Sequence, residues 1–367
     1  MKKPNPFLFL AIALLLPGMA AAQTYSAALI GGTAEIPPGD PDGTGLAVVT
    51  ISGTTVQFFL GVTNIASPTA SHIHRGAAGV AGPIVIGFTV AFAAGSTSGS
   101  VTVTDQTLLE EIRANPAGFY VNVHNAEFPD GAIRGQLASA QAWSSILRGG
   151  PVEVPTGDPD GSGFATVAIS GSAVQFFMSV SNIGPPIASH IHKGPSGVAA
   201  PPIIGFPAGI FTAGTASGSV TVTDQALLNE VRLNPTGFYV NVHTADFPGG
   251  AVRGQVGITL RLLAGRFDVN VLARDQRTGR TAEGQAIPQN DLFGYHSLPG
   301  LTANPDNPET FVKILDGRVI NQKFWVFYSG LTDLDVTVTV RDNVTGAVKT
   351  YHKDPGSACG GFDTDAF

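Results

Sequence analysis

The string SGSVTVTDQ at Ser98–Gln106 returns letter for letter at Ser217–Gln225, and GFYVNVH at Gly118–His124 returns at Gly237–His243. Outward from these anchors the correspondence continues. Gly39-Asp40-Pro41-Asp42-Gly43 reappears as Gly157-Asp158-Pro159-Asp160-Gly161, and Val56-Gln57-Phe58-Phe59 as Val174-Gln175-Phe176-Phe177. Ser71-His72-Ile73-His74 reappears as Ser189-His190-Ile191-His192. The offset is 118 residues in the first part and 119 in the second, with the extra residue between Phe206 and Ser217. A unit of this length is too long for a solenoid repeat, so each copy is expected to be a complete domain with its own core.

Inside the unit, β-branched and aromatic residues run in short segments. Leu46–Ile51 and Val56–Val62 are separated by a turn at Ser52-Gly53, and the second run ends at Asn64, which reads as a hairpin. Val101-Thr102-Val103 and Phe119–His124 alternate in the same way. Thr107–Ala114 is the one helical stretch, with Asp105 or Thr107 as N-cap and Asn115-Pro116 as its stop. Many short strands and one short helix predict a Greek-key sandwich or barrel in each copy.

Composition agrees with a mainly β chain. Only 13% of the 367 residues are charged, while Gly (46) and Pro (26) are abundant, a mixture suited to short strands and tight turns. Residues 1–22 read as a secretory leader: Lys2-Lys3, an apolar run from Phe7 to Leu16, Pro17-Gly18, then Ala20-Ala21-Ala22. The apolar run is about half of the ~20 residues that a spanning helix needs. The expected mature protein is therefore secreted or periplasmic, with no membrane span. Removing the leader leaves 18 basic against 27 acidic residues, a net charge of −9, which argues against nucleic acid as a partner. Cys359 is the only cysteine, so no disulfide can form within the chain.

Six of the eight histidines fall at equivalent places in the two copies: His72, His74 and His124, then His190, His192 and His243. Residues i and i+2 of a strand share a face, so His72 and His74 can present two imidazoles side by side. His124, at the end of its own strand, could supply a third. Neutral imidazole suits copper, zinc, nickel or iron, and an open fourth position would admit water or substrate. The alternative is that these histidines serve only as hydrogen-bonding groups at strand ends.

Tyr25-Ser26-Ala27-Ala28-Leu29 with Glu35-Ile36-Pro37-Pro38, the SHIHRG segment, the Leu-Leu-Glu-Glu-Ile helix and the GFYVNVH…FPDGAIRGQL ending together resemble a CHRD (chordin-type) domain. The resemblance covers residues 24–138 and again 142–257, and implies an exported protein without a settled activity. It also implies a sandwich similar to that of Cu/Zn superoxide dismutase, in which a His-x-His pair and a later Val-x-His supply copper ligands. By that resemblance the six histidines map to copper ligands. The sequence departs from the dismutase pattern, because neither copy has a further histidine to bridge two metals or a His-rich loop with an Asp for zinc.

Residues 262–367 belong to neither copy and alternate strongly, with Asp342-Asn343-Val344-Thr345-Gly346 as a hairpin turn. The expected architecture is thus mainly β: two tandem Greek-key sandwich or barrel domains, similar to Cu/Zn superoxide dismutase or immunoglobulin domains, plus a third sandwich-like domain. Trp325, Phe327 and Tyr328 read as core residues, and His296 and His352 as isolated. The Gly-Asp-Pro-Asp-Gly segments read as turns. Arg134 and Arg253 read as structural ion pairs, with Glu127 or Asp246 as nearby acids. No nucleophile motif with a supporting base appears, nor any phosphate-binding glycine loop. The functional expectation is a non-enzymatic binding or scaffold protein for an extracellular protein or glycan, or alternatively a copper or zinc protein using the two three-His sets.

Overall fold

The computed structural model describes residues 22–88, 92–263, 265–298, 301–302 and 307–367. The leader expected from the sequence lies, but for its last residue, outside the described residues. Among the described residues no helix is long and apolar enough to cross a membrane.

The first repeat is built from strands β1 (Gln23–Ile30), β2 (Thr44–Ser52), β3 (Thr55–Thr63), β4 (Pro68–Arg75), β5 (Ile84–Phe88), β6 (Ser96–Thr102), β7 (Phe119–Asn125) and β8 (Ile133–Gln136). The helix α1 (Gln106–Ala114) lies between β6 and β7. The strands hydrogen-bond in the order β5-β4-β7-β8-β1-β2-β3-β6, with the two-residue β9 (Ala138–Ser139) added beside β1. The non-sequential pairings are β4 with β7, β8 with β1 and β3 with β6, and the end strands β5 and β6 touch, so the sheet curls into an open antiparallel barrel.

Alternation explains the core. Ala47, Val49 and Ile51 of β2, Ile73 of β4, and Val121 and Val123 of β7 all point inward with no exposed surface. α1 closes one side through Leu108, Leu109 and Ile112, and the Asp105 carboxylate caps it by accepting from the Leu108 N–H at 3.1 Å.

The second repeat reproduces this plan with β10 (Gln141–Arg148), β11 (Ser162–Ser170), β12 (Ala173–Ser181), β13 (Pro186–Lys193), β14 (Pro202–Gly205) and β15 (Thr215–Thr221). α2 (Gln225–Leu233), β16 (Phe238–Thr244) and β17 (Val252–Gln255) complete it, in the equivalent order β14-β13-β16-β17-β10-β11-β12-β15. The drift between copies is conservative where it meets the helix. Arg75 pairs with Glu111 of α1 at 2.5 Å, and its counterpart Lys193 pairs with Glu230 of α2 at 2.7 Å.

The repeats do not hang separately on a linker. The outer faces of β2 and β3 meet those of β11 and β12 in one apolar cluster of Leu46, Val48, Phe59, Phe164, Ala168 and Phe177. The Phe177 ring seats directly over Gly61, where a Cβ would lie 2.3 Å from its Cγ, so only glycine permits this approach.

Residues 260–367 form two five-stranded sheets around a separate core. One holds β18 (Leu260–Leu262), β19 (Phe267–Arg274), β20 (Thr281–Glu283), β25 (Asp335–Asp342) and β26 (Val348–Lys353). The other holds β21 (Gln285–Pro288), β22 (Phe293–Ser297), β23 (Thr310–Asp316), β24 (Phe324–Gly330) and β27 (Gly360–Asp363). One sequence expectation is corrected here. Phe324 and Val326 fill the core of this unit, and Tyr328 packs against it, whereas Trp325 and Phe327 alternate to the outer face and are only half-buried. Side chains alternate along a strand, so with Phe324 and Val326 turned inward Trp325 and Phe327 face outward. His296 is completely buried and lies apart from both histidine sets, while His352 is exposed beside Asp335 and Asp354.

Candidate metal centre

In antiparallel strands, residues directly opposite one another share a face. The register places His72 opposite Asn122, His74 opposite Tyr120, and Asn122 opposite Arg134. His72, His74, Tyr120, Asn122, His124, Arg134 and Gln136 therefore stand together on the outer face of β4, β7 and β8, while Ile73, Val121 and Val123 fill the core behind them.

On this face His72, His74 and His124 converge, each offering a ring nitrogen within 4.8 Å of the other two. His190, His192 and His243 do the same in the second repeat. His72 Nδ1 lies 3.1 Å from His124 Nε2, and His190 Nδ1 lies 3.1 Å from His243 Nε2. All six sequence-predicted residues are thus brought together, as two sets of three.

Hydrogen bonds on the far side of two rings fix which nitrogens face inward. His74 Nδ1 donates to the Gly82 carbonyl at 2.9 Å, and His124 Nδ1 donates to the Pro129 carbonyl at 2.9 Å. A carbonyl can only accept, so each Nδ1 carries the proton and each Nε2 keeps its lone pair. The counterparts are His192 Nδ1 to Ala200 (2.7 Å) and His243 Nδ1 to Pro248 (3.1 Å). His74 Nε2 and His192 Nε2 are buried and have no hydrogen-bond partner. His72 Nδ1 can donate to the His124 lone pair when no cation is present.

Burial, with the neighbouring imidazoles adding to it, pushes His72 and His190 down to about 4. Burial also lowers the other four histidines. All three rings of each set are therefore neutral at pH 7, the form that ligates metal. A metal–nitrogen distance of about 2.0–2.1 Å holds tetrahedral ligands roughly 3.4 Å apart, so closing the set requires ring adjustments on the order of 1 Å.

Further residues support the histidines, and of these only the arginines are picked out from the sequence alone. The Tyr120 ring stacks on His74 at 4.9 Å and carries the Arg134 guanidinium 3.4 Å above it; Tyr239, His192 and Arg253 repeat this at 4.8 and 3.4 Å. Arg134 also donates to the carbonyls of Val80 (3.1 Å) and Ala77 (3.4 Å), which pins the loop that supplies Gly82 to His74. The expected pairing of Arg134 with Glu127, and of Arg253 with Asp246, is corrected: among the described residues neither pair forms, and the buried acids that feel these guanidiniums are Glu35 for Arg134 and Glu153 and Glu283 for Arg253. Burial pushes the Glu35 and Glu153 carboxyls up to about 7 against the opposing pull of the arginines. Asn122 Nδ2 donates to Glu35 at 3.4 Å and Asn241 Nδ2 to Glu153 at 3.5 Å. The signal for Tyr120 and Asn122 was present, since they share with His124 the alternation that aligned His72 with His74. The Gly-Asp-Pro-Asp-Gly segments are turns, with Asp40 Oδ1 accepting from the Asp42 N–H at 3.4 Å.

The two repeats are therefore a pair of antiparallel β-barrels, each bearing a three-imidazole cluster on one sheet face with two rings buried and one partly exposed. A family model, the CHRD domain, matches residues 25–137 and 143–256, and the chain belongs to that family. Comparison with curated proteins and with solved structures gives no match. Membership supports, at family level, a non-enzymatic binding or scaffold role.

Proposed function

We propose that this is an exported binding protein whose two CHRD units each hold one copper or zinc ion between three histidines. The observation that carries the reading is the convergence of three neutral imidazoles in both repeats, with a buried, unpartnered Nε2 on His74 and on His192. A polar atom buried without a partner costs roughly 1–3 kcal/mol, and a cation at this point would satisfy it. The carbonyl acceptors of Gly82 and Pro129 serve as the outer partners that orient metal-bound imidazole. Export is supported by the Lys2-Lys3, apolar and Ala20-Ala21-Ala22 pattern of the leader.

The test is metal content by mass spectrometry on untagged mature protein reconstituted with copper or zinc. About two equivalents per chain are expected, lost in the His72→Ala/His190→Ala variant. Absence of bound metal from the wild type would refute the reading.

A second reading, a scaffold for an extracellular protein or glycan, is supported by the outward aromatic face of β22, β23, β24 and β27. Phe327 and Phe362 lie 6.3 Å apart there, and Phe362 is 71% exposed. Unchanged binding to immobilised glycans or extracellular proteins after Phe327→Ala/Phe362→Ala substitution would count against it.

A further inference from the structure

Among the three histidines of each set, His74 and His124, like His192 and His243, are buried, whereas His72 and His190 remain partly exposed. Solvent therefore meets each set at one edge. Opposite His72 in the register, on the neighbouring strand β5, stands Gly87; opposite His190, on β14, stands Gly205.

Neither glycine is demanded by the fold. Both lie in strands and neither has a left-handed φ. A Cβ at Gly87 would meet only His72 Cδ2, at 3.9 Å, and one at Gly205 only His190 Cδ2, at 3.8 Å, both ordinary contacts. The contrast with Gly61, which the packing requires, is direct. Glycine inside a strand is disfavoured, so its use at both places in two copies that have drifted elsewhere asks for a reason other than sterics. Because cross-strand partners share a face, any side chain at Gly87 would stand beside the imidazole of His72 and cover the exposed edge of the set.

The histidines provide three ligands, and among the described residues no carboxylate or thiolate joins either group. A tetrahedral ion held by three protein ligands keeps one position for an exogenous donor.

Resting on the metal reading above, we infer that each site has an open coordination position entered beside Gly87 or Gly205, which accepts one small monodentate anion or neutral nitrogen or oxygen donor. The entrance is the gap left by the missing side chain. Larger chelating ligands are excluded by the buried His74 and His124 side.

Azide on the copper-loaded full chain is the probe, read by absorbance and electron paramagnetic resonance. The wild type is expected to bind azide with a saturable spectral change. The Gly87→Leu/Gly205→Leu variant is expected to retain its copper while azide affinity falls by about tenfold or more. The Gly87→Ala/Gly205→Ala variant, which adds only the Cβ whose space is open, is expected to fall between and covers the case in which leucine impairs folding. Full copper with no azide effect in the wild type, or equal azide affinity in wild type and both variants, would overturn the inference while leaving the metal reading standing. Absence of copper from the wild type would overturn both.

Discussion

Replacing Phe177 by alanine should separate the two repeats without emptying either core. Phe177 has no exposed surface, packs edge-on against Phe59 at 5.9 Å and rests over Gly61, all within the cluster shared by both repeats. Its neighbour Phe176, pointing the other way, belongs to the interior of the second repeat. Truncating a buried phenylalanine costs roughly 3–5 kcal/mol, and here that cost falls mainly on contacts between the copies. For a cooperative unit of this size each kcal/mol lowers the midpoint by about 2–4 °C, so a drop on the order of 10 °C is expected. Differential scanning calorimetry of metal-free protein should show one joint transition for the repeats in the wild type and two in Phe177→Ala. Phe176→Ala should instead lower the stability of the second repeat. A Phe177→Ala protein that keeps a single transition and loses less than about 2 °C would refute the argument that this cluster couples the repeats.

Further expectations follow from other buried groups. Glu35 and Glu153 have carboxyls raised to about 7 from an ordinary 4.5, so they favour folding below pH 4.5 and that contribution is lost as pH rises through 7. Glu35→Gln/Glu153→Gln should therefore gain stability relative to wild type between pH 5 and 8; a constant gap in denaturation midpoints would contradict this. His296, fully buried and pushed down to about 4 by burial, acts in the opposite sense. Its contribution is intact above pH 6.5 and lost as pH falls toward 4, amounting to about 3 kcal/mol, and His296→Gln should flatten the acid limb of urea stability. Gly131 has φ +146° and a Cβ there would lie 2.7 Å from Asn122 Nδ2, so Gly131→Ala should cost about 1–3 kcal/mol, measurable as a shift in urea midpoint at unchanged slope.

Much of this architecture was legible because it is local or duplicated. The i,i+2 spacing of His72 and His74 put two imidazoles on one face, and the strand Phe119–Asn125 brought His124 to the same place. The cap at Asp105 and the turn at Gly53, with φ +57°, were likewise set by neighbouring residues. What escaped was long-range. Nothing near Arg134 in the chain announces that it will lie over Tyr120 and hold carbonyls 54 and 57 positions away. The outward turn of Trp325 and Phe327 depends on which phase of the strand faces the opposite sheet, and that phase carries Phe324 and Val326 into the core.

The differences between the copies carry information that the similarities do not. Arg148 of the second repeat stands where the first has Ile30. Arg148 lies under the third unit and pairs with the buried Glu283 at 3.2 Å; Ile30 is 53% exposed. Glu283 also accepts from the Gln255 N–H at 3.0 Å, and its own N–H donates to Ser196 at 3.0 Å, which ties the third unit to the second repeat. A buried carboxylate with one cation removed is left uncompensated, which is why the arginine is needed on this copy and an apolar residue suffices on the other. Gly61, which seats the Phe177 ring of the other copy, has Ser179 as its counterpart. At these positions the difference follows the neighbour each copy has acquired, whereas the three histidines keep equivalent carbonyl and stacking partners in both copies and have not drifted at all.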